Sequence, residues 1–488
     1  MRIVPCAFSQ WSSFSMNTYK PKIMLFSHVC NTGSITGAEK LLLLFCLQIT
    51  PYFECILVAP QEGKLTASAR KQGMKVRIQS YPLLFGMYQP GEQLEQEAEA
   101  LRHHADFGAV VRCIAETAPD IVLANTIVNV MPAIAAKLLG IPVLWKITET
   151  MQTTAHTSAA IAVVEKYSDC LIAISEVSAR VFRGAVSRPI TLLPPSSDDE
   201  LLQPSQKLIR NGYRKILRLK DSHVCIGYIS SFIHPEKGLL EFIRMAAILA
   251  ASFPNCRFVM IGKPSDQSYY DRCVDEVNAS GHRNSFRFIP FVESVQSAYS
   301  AMDILVVPSM VQEGFGMTAL EGMLCGKPVV AFDSGGLGEL MNNTGNASFT
   351  VPTGDYAALA AKVSELLNHP ELLQYTGSMN ASAARNAYGL EAYRQRIHVF
   401  VQGLQHGCPD WMSGAISQRV AASGVPQIDP AIHPENSKPA RKKRPVRRRK
   451  QQRRRAGRPA ATVRRRRLIR KAGAGKRSKR RSQSIKRK

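Results

Sequence analysis

Two glutamates, Glu313 and Glu321, stand in the stretch QEGFGMTALEG with seven residues between them, among these two glycines and an aromatic ring. The stretch directly follows the apolar run ILVVPS, so a strand ending near Ser309 leads into a loop and then into a helix that starts near Gly316. The amides around Phe315, Gly316, Met317 and Thr318 then sit at a helix N-terminus without intrahelical acceptors, which is a place for a phosphate. Gly314 and Gly316 allow backbone to approach a ligand closely. Glu321 lies ~7.5 Å further along the helix axis. One carboxylate can therefore serve each end of a molecule whose middle is a diphosphate. Carboxylate oxygens accept hydrogen bonds from paired hydroxyls, and a nucleotide sugar has that layout. The plainer alternative makes Glu313 a solvated loop acid and Glu321 part of a charged helix face. The small and apolar neighbours of Glu321 in TALEGMLCG argue against the second half of it.

Lys237, in ISSFIHPEKGLLEFI, raises the same question from the opposite charge. A cation is unfavourable at a helix start, so its position there implies an anionic ligand; a surface lysine is the alternative. His28 closes the apolar run KIMLFSH, where a structural role and a cleft role are equally open.

The elements that position these groups follow from periodicity. KIMLFSH, CILVAP, KVRIQS, DIVLANT, PVLWKI and DCLIAIS read as buried strands, with helical patterns such as GAEKLLLLFCLQI and VNVMPAIAAKLLG between them. The segment LLPPSSDDELLQPSQ interrupts the periodicity, and alternation restarts with HVCIGYISS, CRFVMIG, FRFIPF, ILVVPS, PVVAF and ASFTV. Strand–helix alternation means parallel strands joined by crossovers. The fold class is thus α/β, with two doubly wound, Rossmann-like domains, and the cleft between them is the default ligand site.

Of the 63 Lys and Arg residues, 27 lie in residues 438–488 with no Asp or Glu, which leaves 36 basic against 37 acidic residues elsewhere. The formal charge of +26 therefore belongs to a tail, and the globular part is neutral. The tail cannot bury a core and is expected to be disordered. It lacks aromatic residues, so stacking on bases is excluded, and it suits any polyanion: anionic membrane, cell-wall polymer or nucleic acid, without sequence reading. The 11 cysteines form no C-x-x-C pair or Cys/His cluster and read as free, buried thiols of a reducing compartment. No apolar run reaches the ~18 residues needed to cross a bilayer. The first residues lack the apolar stretch of a secretory signal, Met16 is an alternative start, and a cytoplasmic location, peripheral to the inner face of a membrane, is expected.

The quoted motifs together resemble glycosyltransferase family 4, the retaining "group 1" transferases of GT-B fold. QEGFGMTALEG resembles its E-x7-E signature, ISSFIHPEKG its G-R-L-x-P-E-K-G segment, GKPVVAFDSGGLGEL its G-x-P-V-V-A-x-x-x-G-G-x-x-E segment, and TGAEKLL its G-G-A-E. The likeness spans roughly residues 22–404 and is more specific in the second half. It implies that Glu313 and Lys237 are catalytic, Glu313 holding donor-sugar hydroxyls and Lys237 neutralising the departing diphosphate. It further implies that Glu321 binds the ribose, that the backbone of Gly314, Phe315, Gly316, Met317 and Thr318 serves sugar and phosphates, and that Gly37 approaches from the other domain. The family's usual Arg is Phe232 here, the first Gly of G-G-A-E is Thr36, and Thr148 of KITET stands where many members carry His. The acceptor side is assigned to His28, Lys146, Thr148 and Glu149. No D-x-D motif is present, and neither cofactor nor metal is expected.

The expected organisation is an unstructured segment 1–21, an acceptor domain 22–190, a linker 191–221 and a donor domain 222–390. A helix 391–407 that crosses back, a linker 408–437 and the basic tail 438–488 complete it. The expected activity is transfer of a sugar from a nucleotide diphosphate donor to a glycan or lipid-linked acceptor. A nucleotide-sugar epimerase of the same fold and a non-catalytic polyanion-binding scaffold are the alternatives.

Overall fold

A computed structural model of the chain describes residues 19–33, 35–197, 207–290 and 295–426. The expectations for most of the first 21 residues and for the basic tail lie outside the described residues.

Seven parallel strands build the first sheet: β1 (Lys22–Phe26), β2 (Glu54–Ala59), β3 (Lys75–Ile78), β4 (Ile121–Asn125), β5 (Val143–Ile147), β6 (Cys170–Ala173) and β7 (Ile190–Leu192), in the order β3-β2-β1-β4-β5-β6-β7. Six more build the second: β8 (Val224–Ile233), β9 (Cys256–Pro264), β10 (Phe286–Ile289), β11 (Ile304–Val307), β12 (Val329–Phe332) and β13 (Thr350–Val351), in the order β10-β9-β8-β11-β12-β13. Every pair is parallel. The central strands are buried along their whole length, β4 and β5 at every residue, which is why they read as continuous apolar runs rather than alternating ones. In each sheet the strand order reverses once, between β1 and β4 and between β8 and β11. At such a switch point the crossovers leave in opposite directions, and a crevice opens outside the carboxyl ends of the strands.

The first sheet carries an apolar core on each face, and the second lobe has one large core. The helix Leu390–Gly407 crosses back: Tyr393, Ile397, Phe400, Val401 and Leu404 join the first-lobe core at i, i+3/i+4 spacing.

Two segments read as linkers contain structure. β7 occupies Ile190–Leu192, and the helix Lys207–Ile216 follows within the expected linker 191–221. Within the expected linker 408–437 the helix Ala415–Ser423 places Ile416 and Val420 in the first-lobe core. Two apolar residues four apart are one helical face, too short to show as a period. Asp120 ties this helix down, accepting from the Ser417 amide at 3.0 Å, the Lys22 amide at 2.9 Å and the Tyr19 hydroxyl at 2.6 Å. The ten described cysteines are free, all buried except the half-buried Cys408.

The helix Lys207–Ile216 is fixed by charge. Asp303 accepts from Arg210 at 2.7 Å, from Arg214 at 3.3 Å and from the Cys225 amide at 2.7 Å, and Arg214 is only 3% exposed. Removing the carboxylate would leave a buried guanidinium without its counter-charge, at a cost of about 3 kcal/mol or more. Asp303→Ala is therefore expected to lower the thermal midpoint of the second lobe by roughly 6 °C or more. An unchanged midpoint in a calorimetric scan would show that the pair contributes nothing.

Candidate active site

A cavity of about 340 Å³ lies between the two lobes, outside the carboxyl ends of the strands at both switch points. Lys237 and Glu313 meet in its lining. The Lys237 ammonium donates to Glu313 Oε1 at 2.6 Å, and the Ser309 hydroxyl donates to the same oxygen at 2.6 Å. Lys237 comes from a single 3-10 turn, Pro235–Lys237, capped by Gly238 at φ +67°. A Cβ on Gly238 would lie 1.8 Å from the Pro308 carbonyl, so only glycine lets this turn rest on the loop after β11.

Gly316 caps the helix Met317–Leu324 with φ +99° and no side-chain hydrogen bond. The first amides of that helix have no intrahelical acceptor, and Gly314, Gly316, Met317 and Thr318 all line the cavity. Phe315 also borders it, but its ring is 4% exposed and packs edge-on against Tyr388 at 5.2 Å, so it acts as a core residue whose backbone faces the site. Gly314 serves the junction of the lobes: a Cβ there would meet the Thr148 carbonyl at 2.3 Å. Around it the lobes are joined by hydrogen bonds from Ser175 Oγ to the Gly314 carbonyl (2.7 Å) and from Thr150 Oγ1 to the Gln312 carbonyl (2.6 Å). Glu339, from the GGLGEL segment, accepts from the amides of Glu176 and Val177 at 3.2 Å each.

Glu321 is set apart from the Lys237–Glu313 pair and does not border the cavity. Tyr299 donates to it at 3.0 Å, and burial pushes its carboxyl above the usual range against the pull of Lys40. From the first lobe, Gly37 opens the helix Gly37–Ile49, with open space where its Cβ would be. Thr36 is the N-cap of that helix in a full capping box. Glu39, fully buried, also accepts from the Asn31 amide and side chain, which fixes the loop around the helix start.

The four groups assigned to the acceptor side separate. Thr148 and Glu149 line the cavity. Glu149 accepts from the amides of Ile127 and Thr148 and from Thr148 Oγ1, and burial raises its pKa. Lys146 does not reach the cleft. It is 2% exposed, its ammonium lies 5.6 Å from the Phe45 ring centre, and burial lowers its pKa to about 8. The reason is register: a residue in the middle of a strand buried on both faces points into a core, not out of the sheet's end. His28 lies outside the cavity lining; its Nδ1 is buried without a partner, and burial lowers its pKa to about 4 against the charge of Glu39. Close to it in the fold, both side-chain amide atoms of Asn125, Thr126 Oγ1 and Asn129 Oδ1 are also buried without partners, and Thr126 has a strained φ of +81°.

Sequence reasoning missed His234, Ser309, Tyr228, Tyr299, Ser175 and Glu339. His234 and Ser309 sit inside motifs already singled out, so their positions were a signal. Tyr299 and Ser175 reach the site only through long-range contacts and carry none. His234 borders the cavity beside Phe232, and burial lowers its pKa, with Glu236 opposing and Lys237 assisting.

Two parallel doubly wound lobes enclosing such a cavity define the GT-B fold. Consistent with this, the structure superposes on Anabaena Alr3699/HepE, solved in complex with UDP, with a TM-score of 0.66 and 20% identity, covering 78% of this chain and 99% of that one. Residues 223–369, most of the second lobe, match the family Glycosyl transferases group 1. The 2-deoxystreptamine N-acetyl-D-glucosaminyltransferase of Streptomyces fradiae is 28% identical over 212 residues, 43% of this chain and 48% of that protein. The D-inositol 3-phosphate glycosyltransferase of Geodermatophilus obscurus is 31% identical over 208 residues, 41% of this chain and 45% of that protein. The chain spans about half the length of the curated relatives it matches.

His28 gives a pH signature. Because its folded pKa is lowered from 6.5 to about 4, the unfolded chain takes up this proton first as pH falls. Stability is therefore lost progressively from pH 6.5 down to about 4 and levels off below, a difference of about 3 kcal/mol. The ratio of wild-type to His28→Gln stability, followed by denaturant unfolding between pH 8 and pH 4, is expected to fall over that window. A parallel pair of curves would mean that His28 titrates normally.

Proposed function

We propose that the protein transfers a hexose-type sugar from a nucleotide diphosphate sugar to an acceptor hydroxyl, with retention of configuration. The observation that carries this reading is the meeting of the Lys237 ammonium, the Glu313 carboxylate and the start of the helix Met317–Leu324 on one cavity between two GT-B lobes. The donor's diphosphate lies against the ammonium and the helix amides, which are in place before reaction and stabilise the leaving charge without reorganising. Glu313 then exchanges its ammonium partner for sugar hydroxyls. Glu321, held by Tyr299, is assigned to the ribose end of the donor. That Alr3699/HepE binds UDP supports a nucleotide donor of this kind. In this reading fixed protein charge does the work of a divalent ion, so turnover is expected to survive chelation by EDTA.

On the first-lobe side, Thr148 and Glu149 border the cavity, and the unpartnered atoms of His28, Asn125, Thr126 and Asn129 lie behind them. Buried polar atoms without partners cost about 1–3 kcal/mol each and persist where function retains them. We assign this region to the acceptor, a glycan or lipid-linked hydroxyl compound.

The test is a panel of nucleotide sugars screened by thermal shift, since a bound donor raises the midpoint by mass action, followed by turnover with acceptor. Lys237→Ala and Glu313→Gln are each expected to reduce transfer by roughly 100-fold or more while the fold is kept. A new glycoside marks a transferase, whereas change in the donor alone marks an epimerase. Donor turnover that survives removal of residues 438–488 would rule out the scaffold alternative, and an intact chain that binds no nucleotide diphosphate would overturn the transferase reading.

A further inference from the structure

At the edge of the second lobe opposite the cleft, where the strands of its sheet begin, cations outnumber the described carboxylates, Asp221 and Asp303. Residues 207–220, KLIRNGYRKILRLK, hold six Lys or Arg and no Asp or Glu. Two of the six, Arg210 and Arg214, share the single carboxylate of Asp303. The other four, Lys207, Lys215, Arg218 and Lys220, are exposed and form no ion pair among the described residues.

Two neighbouring strands add to the patch. Arg257 pairs with Cys225 at the start of β9, and Arg287 pairs with Val259 on the edge strand β10. Their guanidiniums bond only to main-chain carbonyls: Arg257 to Pro254 and Cys256, Arg287 to Asn284 and Phe286. They lie close enough to one another and to Arg218 and Arg283 that the mutual repulsion adds to burial in lowering the pKa of Arg287. Like charges crowded at an edge destabilise the isolated fold and need an external anion to offset them.

The same face carries apolar side chains in water. Leu208 is 87% exposed and Ile216 is 71% exposed, at the two ends of the helix Lys207–Ile216. Leucine and isoleucine add nothing to contact with a phosphate backbone, and no exposed aromatic ring stands among these cations for stacking on bases. Cations interleaved with exposed aliphatic side chains are the pattern of a helix lying in a lipid interface, with its charges at the headgroups and its apolar residues just below them.

We propose that this edge of the second lobe docks on an anionic lipid leaflet through the helix Lys207–Ile216 and Arg218, Lys220, Arg257 and Arg287. The proposal does not depend on the reaction catalysed. It leaves the cleft, at the other end of the same strands, facing away from the lipid.

Hydrogen–deuterium exchange on the full chain tests it, because a local readout separates this face from any attachment by the basic segment 438–488. With vesicles of phosphatidylglycerol and phosphatidylcholine, amides of residues 207–220 and 283–288 are expected to exchange at least about threefold more slowly. Vesicles of phosphatidylcholine alone should give no such change. The double variant Leu208→Asp, Ile216→Asp should lose the protection, as should Arg218→Glu, Lys220→Glu. Both alter exposed positions, and near-native thermal midpoints will show that they fold. Vesicle binding without protection of residues 207–220 would overturn the proposal, leaving the basic segment as the sole attachment. Equal protection by duplex DNA or RNA would overturn it in favour of a nucleic acid.

Discussion

The constraint on which the site depends is that three stretches of main chain must touch with no side chain between them. The backbone at Gly314 lies against the Thr148 carbonyl of the first lobe, and Gly336 lies against the Gly314 carbonyl. Gly316, with φ +99°, lies against Leu337. A methyl group at any of these positions would force the loop after β11 away from its neighbours. With the loop held there, Glu313 is pinned on both sides, its amide to the Ser334 carbonyl at 3.1 Å and its carbonyl to the Gly336 amide at 2.7 Å. Main chain thus fixes the backbone of Glu313, and Lys237 and Ser309 hold its carboxylate. This is the preorganisation that a site must have if its charges are to act without rearranging.

Electrostatics then assign the parts. Lys237 and Glu313 form a partly exposed ion pair, 32% and 20% exposed, and pairs of that kind contribute little to stability. Their value lies in being exchangeable. In the proposed reading a donor diphosphate replaces the carboxylate as partner of the ammonium, and the sugar offers hydroxyl donors to the carboxylate that is released. Phe232 borders the cavity where the group 1 transferases usually have an arginine, and His234 beside it is kept neutral by burial. Lys237 is therefore the one permanent cation among the described residues of the lining. In the proposed reading a greater share of the donor's phosphate charge would fall on the amides at the starts of the helices Gly37–Ile49 and Met317–Leu324 than in a site with two cations.

What was legible in the sequence divides along a physical line. Strands buried on both faces announce themselves as apolar runs, and twelve of the thirteen were readable, even the edge strand β3, whose four residues are half-buried or exposed. The exception, β7, has three residues, all half-buried, and lies against a proline-rich segment. Residues whose role comes from local geometry were also readable: Gly314, Gly316, Glu313 and Lys237 each sit at a strand end or helix start that the pattern locates. Residues whose role comes from register or from contacts far along the chain were not. Lys146 looked available because it follows a strand core, but strand register turns it inward beneath Phe45. Tyr299 meets Glu321 only because the crossover before β11 folds back over the helix that follows it.

Parallel sheets impose a polarity that the charges of the second lobe respect. Every strand ends at the cleft edge, so the loops that carry chemistry gather there, and each ionised group in the described lining has a partner: Lys237 with Glu313, Glu149 with main-chain amides. The opposite edge has no chemistry to support, and the fold alone sets no requirement on its charge. The helix Lys207–Ile216 shows both treatments within three turns. Arg210 and Arg214 face inward, share Asp303 and hold the helix to the sheet, while Lys207 and Lys215 face outward with no counter-charge beside the exposed Leu208 and Ile216. Packing accounts for the first pair. The second pair makes no packing contact that fixes the helix, and it stands beside exposed aliphatic side chains rather than beside carboxylates of the same helix. A partner that is both anionic and apolar would match both features at once, which is the reading proposed for this edge.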